Sequence, residues 1–225
     1  MSSRRRGPER PTLHEAAERD AQLLDTALEL FVANGFERTT IEAIPTAVGM
    51  AKRTVYARYG DKTTLFKAAL QRAIDDWAVP VARLEAAETA DLEASLHAIA
   101  RILVDNILSP AGLRLLQITN AESPRMPEIG VYTNEQGTKR TVAFLAELLH
   151  RRIPHRPFTP RDAEAAAFSF LFLVVGGPAT MAAWGIGFGQ PEIDRHIRNG
   201  VHLFLHGPLD EWDWSPARTA PQQAR

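Results

Sequence analysis

The sequence predicts an all-α protein of about nine helices. Apolar residues recur at helical spacing along most of the chain, and no segment sustains the two-residue alternation of a half-buried strand. Capping residues, prolines and glycines punctuate the apolar segments where helices would start and stop. The 225 residues are 45% hydrophobic, enough for a buried core, and carry no cysteine, which excludes disulfides, thiolate metal sites and a cysteine nucleophile.

The first clear helix spans Ala21–Asn34, with Leu23, Leu24, Ala27, Leu28, Phe31 and Val32 on one stripe; Asn34-Gly35 ends it. Thr39 or Thr40 opens the second, Thr39-Thr40-Ile41-Glu42 fitting a capping box, and Gly49 closes it. A short third helix follows at Ala51–Arg58. Asp61 caps a fourth, whose apolar face is Leu65, Phe66, Ala69, Leu70, Ala73, Ile74 and Trp77, and Pro80 ends it. Further helices are expected at Leu92–Leu108, Ala111–Ala121, Pro127–Arg152, Pro160–Trp184 and Pro191–Leu205. Thr159-Pro160-Arg161-Asp162 supplies a cap, a proline at the first helical position and an acid in the first turn. The expected organisation is a unit at 1–80, a second at 81–207, and a loose, proline-rich tail at 208–225.

Net charge is only −1, yet Arg38 to Arg72 holds seven cations against Glu42 and Asp61. Such local asymmetry says more about partners than the total does. Within it, a helix, a glycine turn and a second short helix form a helix-turn-helix pattern, with Ile44, Val48, Met50 and Val55 spaced as its apolar contacts. The outer face of the third helix carries Lys52, Arg53, Thr54, Tyr56 and Arg58. Arginine can pair bidentately with guanine, and a threonine methyl can meet thymine. Tyr56, Arg58 and Lys62 suit phosphates, which set register rather than sequence. The start of the fourth helix also suits a phosphate. The partner so predicted is double-stranded DNA.

Residues 23–70, LLDTALELFVANGFERTTIEAIPTAVGMAKRTVYARYGDKTTLFKAAL, resemble the N-terminal domain of the TetR (tetracycline-repressor-like) family of bacterial regulators. LF-x3-GF-x2-TT and TVY-x2-Y-x2-K-x2-LF carry the resemblance. It implies an all-helical, dimeric, cytoplasmic transcriptional repressor and no enzyme. Thr39 and Thr40 would lie near phosphate, Lys52, Arg53 and Thr54 would face bases, and Tyr56, Arg58 and Lys62 would contact the backbone. The Arg4-Arg5-Arg6 arm resembles extensions that reach the minor groove, while its composition equally suits a disordered solubilising tail. Two departures stand out. Pro45 falls inside the second helix, where it predicts a kink or a late start. Ala51 replaces the usual serine cap of the third helix, which predicts a more mobile reading helix.

Residues 113–149 resemble one C-terminal subtype of the same family. The resemblance implies a small-molecule effector, by default uncharged and partly apolar, and a homodimer formed through helices near 160–184 and 191–205. Candidate effector residues are His97, Gln117, Asn120, Tyr132 and Phe172, with Arg101 and Asn106 as further polar liners and Phe144 and Trp184 as further walls. Ala165 to Pro191 contains no charge, but Gly176-Gly177-Pro178 interrupts it, favouring a buried core or interface helix over a membrane span.

His202 and His206 lie four apart, a possible metal pair, but neither a following glutamate nor a third ligand is evident in sequence. No cofactor or metal is expected, and no nucleophile elbow, P-loop or dinucleotide glycine pattern occurs. The alternative to a regulator is a small helical enzyme or an interaction protein without DNA binding.

Overall fold

The computed structural model describes residues 12–153 and 159–207, which are helical and contain no strand. The arginine arm at 4–6 and the tail at 208–225 lie outside the described residues. The helices are α1 (Leu13–Asn34), α2 (Ala43–Ala47), α3 (Lys52–Tyr59), α4 (Lys62–Trp77), α5 (Val81–Glu85), α6 (Leu92–Leu108), α7 (Pro110–Glu122), α8 (Pro127–Thr133), α9 (Arg140–Arg152), α10 (Pro160–Leu171), α11 (Gly177–Ala183) and α12 (Gln190–His206). A π-helical segment, Asn134–Lys139, joins α8 to α9; another, Phe172–Gly176, joins α10 to α11 into one rod, Pro160–Ala183. Each expected helix is present, and α5 is an additional short turn.

α1 starts eight residues earlier than its apolar stripe suggests. Thr12 and Glu15 form a reciprocal capping box: the Glu15 N–H donates to Thr12 Oγ1 at 3.2 Å, and the Thr12 N–H to Glu15 Oε2 at 2.8 Å. At its far end Gly35, at φ +79°, turns the chain so that Phe36 reaches Phe31 and Phe66, with ring centroids 5.8 and 5.2 Å away.

α2 starts late, as Pro45 demands. Its first residue is Ala43, so Pro45 occupies the third position, where an N–H would have no helical acceptor. The proline therefore costs no hydrogen bond. The expected capping box does not form. Thr39 is 3% exposed and donates its hydroxyl to the carbonyls of Leu30 (3.1 Å) and Gly35 (2.9 Å), locking the α1–α2 connection.

Two clusters of buried side chains organise the molecule. One joins α1–α4 (Leu23, Phe31, Ile44, Val55, Phe66) and also takes Leu115 and Ile118 from α7 and Ile129 from α8. The other joins α5, α6, α9, the long α10–α11 rod and α12, through Leu84, Ile99, Leu145, Phe170 and Val201. Polar contacts also link α4 to its C-terminal neighbours. Trp77 Nε1–H donates to the Asn106 carbonyl (3.1 Å) while Asn106 Nδ2–H donates to the Trp77 carbonyl (3.2 Å), and the Tyr132 hydroxyl donates to Asp75 (2.9 Å).

The long rod accommodates Pro178 with help from α12. Proline offers no N–H to the carbonyl four residues back, that of Val174. His196 fills that place, Nε2–H donating to it at 3.0 Å. Close approach makes this possible: a Cβ on Gly200 would stand 3.2 Å from Val174 Cγ1, and one on Gly177 3.3 Å from His196 Cε1.

Candidate nucleic-acid interface

The turn before α3 follows from Gly49 at φ +63°. Met50 N–H bonds to the Pro45 carbonyl (2.8 Å) and Gly49 N–H to that of Thr46 (3.4 Å), a Schellman arrangement that ends α2 and redirects the chain. α3 then runs for eight residues, about 12 Å, a length that suits one groove crossing. Val55 is its one fully buried side chain; Lys52, Arg53, Thr54, Tyr56 and Arg58 are exposed. No side chain caps its start at Ala51.

The cations of this region divide into two groups. Arg58 Nη2 lies 2.8 Å from Asp20 of α1, and the same carboxylate accepts from the Tyr59 hydroxyl at 2.7 Å. Burial, reinforced by Asp20, pushes the Tyr59 phenol far above its ordinary value, so it stays a donor. Lys62 donates to the carbonyls of Phe36 (2.9 Å) and Glu37 (3.2 Å) and lies 4.4 Å from the Phe36 ring centroid. Arg58 and Lys62 thus brace the fold. Lys52 and Arg53 form no ion pair or side-chain hydrogen bond among the described residues and project from the outer side of α3. Glu42 feels the Lys52 charge, which helps to lower its carboxyl, but among the described residues no carboxylate is close enough to either cation to form an ion pair.

Tyr56 donates to Glu42 Oε1 at 2.7 Å, which lowers the Glu42 carboxyl and raises the Tyr56 phenol. Tyr56 remains 42% exposed, so its ring is available while its hydroxyl is engaged. Thr40 is exposed, whereas Thr39 faces inward; the phosphate contact expected of Thr39 is replaced by its two carbonyl bonds. Asp61 caps α4 as expected, accepting from Thr64 N–H at 2.7 Å, which holds its carboxyl below the ordinary value. That anionic cap takes an N–H a phosphate would need. Asp20 is the residue sequence reasoning missed: it precedes the apolar stripe of α1, and only its distance from Arg58 and Tyr59 reveals its role.

Among the described residues, the five effector candidates are spread over α6, α7, α8 and the start of the Phe172–Gly176 segment. Tyr132 borders a cavity of about 300 Å³ against α4, with Leu70, Ile74 and Ile129. Gln117 and Asn120 are exposed on α7. Phe172 is 52% exposed and stacks on Phe168 at 4.4 Å. His97 lies 3.9 Å from Glu93 on its own helix. Of the further liners, Arg101 pairs with Asp194 of α12, Asn106 is engaged with Trp77, and Phe144 is core. Trp184, expected as a wall, is 69% exposed, because the chain turns away at Gly185. The histidine pair does acquire a third neighbour: Glu93 of α6, 113 positions from His206 in the chain.

Residues 94–207 match the family described as AefR-like transcriptional repressor, C-terminal domain, and residues 23–69 match bacterial regulatory proteins, tetR family. The chain is 26% identical over 136 residues to an uncharacterized HTH-type transcriptional regulator of Bacillus subtilis, YezE, covering 59% of this chain and 69% of that one. It is 41% identical over 61 residues to the HTH-type transcriptional repressor ComR of Escherichia coli, covering 27% and 29%. Among solved structures, a TetR-family transcriptional regulator from Mesorhizobium loti superposes with TM-score 0.72 at 25% identity, over 84% of this chain and 96% of that one. The flavonoid-responsive regulator FrrA superposes with TM-score 0.66 at 27% identity, over 84% and 96%.

Proposed function

The chain belongs to the TetR family of bacterial transcriptional regulators, and from that premise we propose an effector-responsive repressor that reads a palindromic operator as a homodimer through Lys52, Arg53 and Thr54. One observation carries the reading: α3 presents two cations that form no ion pair among the described residues, while Tyr56, Arg58 and Tyr59 anchor it to α1 and the start of α2. Lys52, Arg53 and Thr54 address base edges; Thr40 and Tyr56 lie beside the phosphates. Residues 1–80 form the DNA-binding unit and 81–207 the effector and dimerisation unit, and the protein works in the cytoplasm, where its operator is.

The exposed apolar side chains of the long rod and the loop after it support the dimer. Phe168, Phe172, Trp184, Ile186 and Phe188 all remain at least 37% exposed in the single chain. Large apolar side chains left exposed along one rod and the loop after it suit an association site. The rod is long and apolar enough to cross a membrane by length and composition, but Gly176-Gly177-Pro178 interrupts it, and we read it as an association helix. Two-fold symmetry then sets half-sites one helical turn apart, about 34–36 Å, or a multiple of it.

The contacts of α4 support effector control. Asn106 and Tyr132 both grip α4, so a ligand that favours a different arrangement of α6 or α8 shifts α4 and with it α3. The similarity to a regulator described as flavonoid-responsive supports an uncharged, partly apolar effector. Footprinting on the DNA flanking the gene for this protein tests the reading. It predicts a protected, two-fold symmetric site whose affinity falls steeply with salt; absence of protection would contradict it.

A further inference from the structure

We propose that Glu93, His202 and His206 form a binding site for a divalent transition metal ion of the zinc type, joining α6 to α12. One ligand atom from each residue lies within 4.8 Å of the other two. His206 Nε2 stands 3.4 Å from Glu93 Oε2, close to the edge of a tetrahedron built on metal–ligand bonds of about 2.0–2.1 Å. The His202 and His206 rings, one helical turn apart, have centroids 4.8 Å apart. Two imidazoles and a carboxylate suit zinc, nickel, cobalt or copper(II), and leave one tetrahedral position for water.

The plain alternative is an ion pair. Glu93 lies in the first turn of α6 and His206 in the last turn of α12, where helix dipoles favour an anion and a cation. That pairing leaves His202 unexplained. Its ring is half-buried beside the pair and has no hydrogen-bond or ion-pair partner among the described residues. A metal engages all three. It would also pin to α12 the N-terminal end of the helix whose C-terminal end holds Trp77 of α4, giving the ion a route to the DNA-binding unit.

The test uses the full-length protein, stripped with chelator and titrated with zinc by calorimetry and with cobalt(II) by absorption. One equivalent per chain is expected, with binding weakened at least tenfold by His202→Ala or His206→Ala, also weakened by Glu93→Gln, and unchanged by His14→Ala and His150→Ala. Zinc should raise the melting temperature of the wild type and not that of the His202→Ala/His206→Ala variant, whose metal-free melting curve reports its folding. Lack of saturable binding, or wild-type affinity in both single histidine variants, overturns the proposal. Neither measurement involves DNA, so failure here leaves the operator reading standing.

Discussion

The guanidinium of Arg58 stands 2.8 Å from the carboxylate of Asp20, tying the end of α3 to the first half of α1. Asp20 also accepts from Tyr59, and its side chain is only 16% exposed. Removing it strips a charged acceptor from two donors at once. Asp20→Ala is expected to destabilise the protein by about 1.5–3 kcal/mol in urea denaturation, the range for hydrogen bonds to charged groups. It should also weaken operator binding, because α3 loses its brace. A change within 0.5 kcal/mol, about the spread of a neutral surface substitution, would show that the brace is dispensable.

Ala51 leaves the start of α3 without a side-chain acceptor. Ala51→Ser restores one and should add about 1 kcal/mol of stability. Amide exchange at residues 52–59 should slow in that variant relative to α1. Unaltered exchange would mean that α3 is already held by Val55 and Asp20, and that the absent cap does not matter.

The Val174 carbonyl accepts from His196 Nε2–H at 3.0 Å, beside Pro178, which has no N–H to offer it. His196→Ala should cost about 0.5–1.5 kcal/mol, the net worth of a hydrogen bond. Chemical denaturation measures it, and stability indistinguishable from wild type would refute the role.

The capping carboxylate Asp61 is held below its ordinary value by the Thr64 N–H. A group with a depressed folded-state pKa contributes stability that is complete above its unfolded value and is lost as pH falls through the folded one. For Asp61 that loss begins below about pH 4, its ordinary value. Asp61→Asn keeps an acceptor at the cap but does not titrate. Melting temperature recorded from pH 7 down to pH 2 should therefore decline less steeply in the variant; parallel curves would remove Asp61 from the acid response.

What was legible in sequence and what was not divides along physical lines. α4 and α6 were readable because one stripe of each is buried, and burial imposes periodicity. The first two turns of α1 carry no such stripe; only the Thr12–Glu15 pair marks their start. The same four-residue pattern at Thr39–Glu42 misled, since the end of α1 offered Thr39 two carbonyls first. Lys52 and Arg53 were readable as an outward face, but which cations brace the fold depends on Asp20, Phe36 and Glu37, brought close only by folding. Glu93 escaped notice beside His202 and His206 for the same reason.

The most direct test of the DNA-reading surface compares wild type with Lys52→Ala/Arg53→Ala on the footprinted operator across a range of salt. Both side chains are exposed and without protein partners among the described residues, so the melting temperature should not change. Operator affinity should fall at least tenfold, with a shallower salt dependence, since a lost base pairing alone accounts for about 1–3 kcal/mol. A variant that binds the same DNA with wild-type affinity and salt slope would contradict the account.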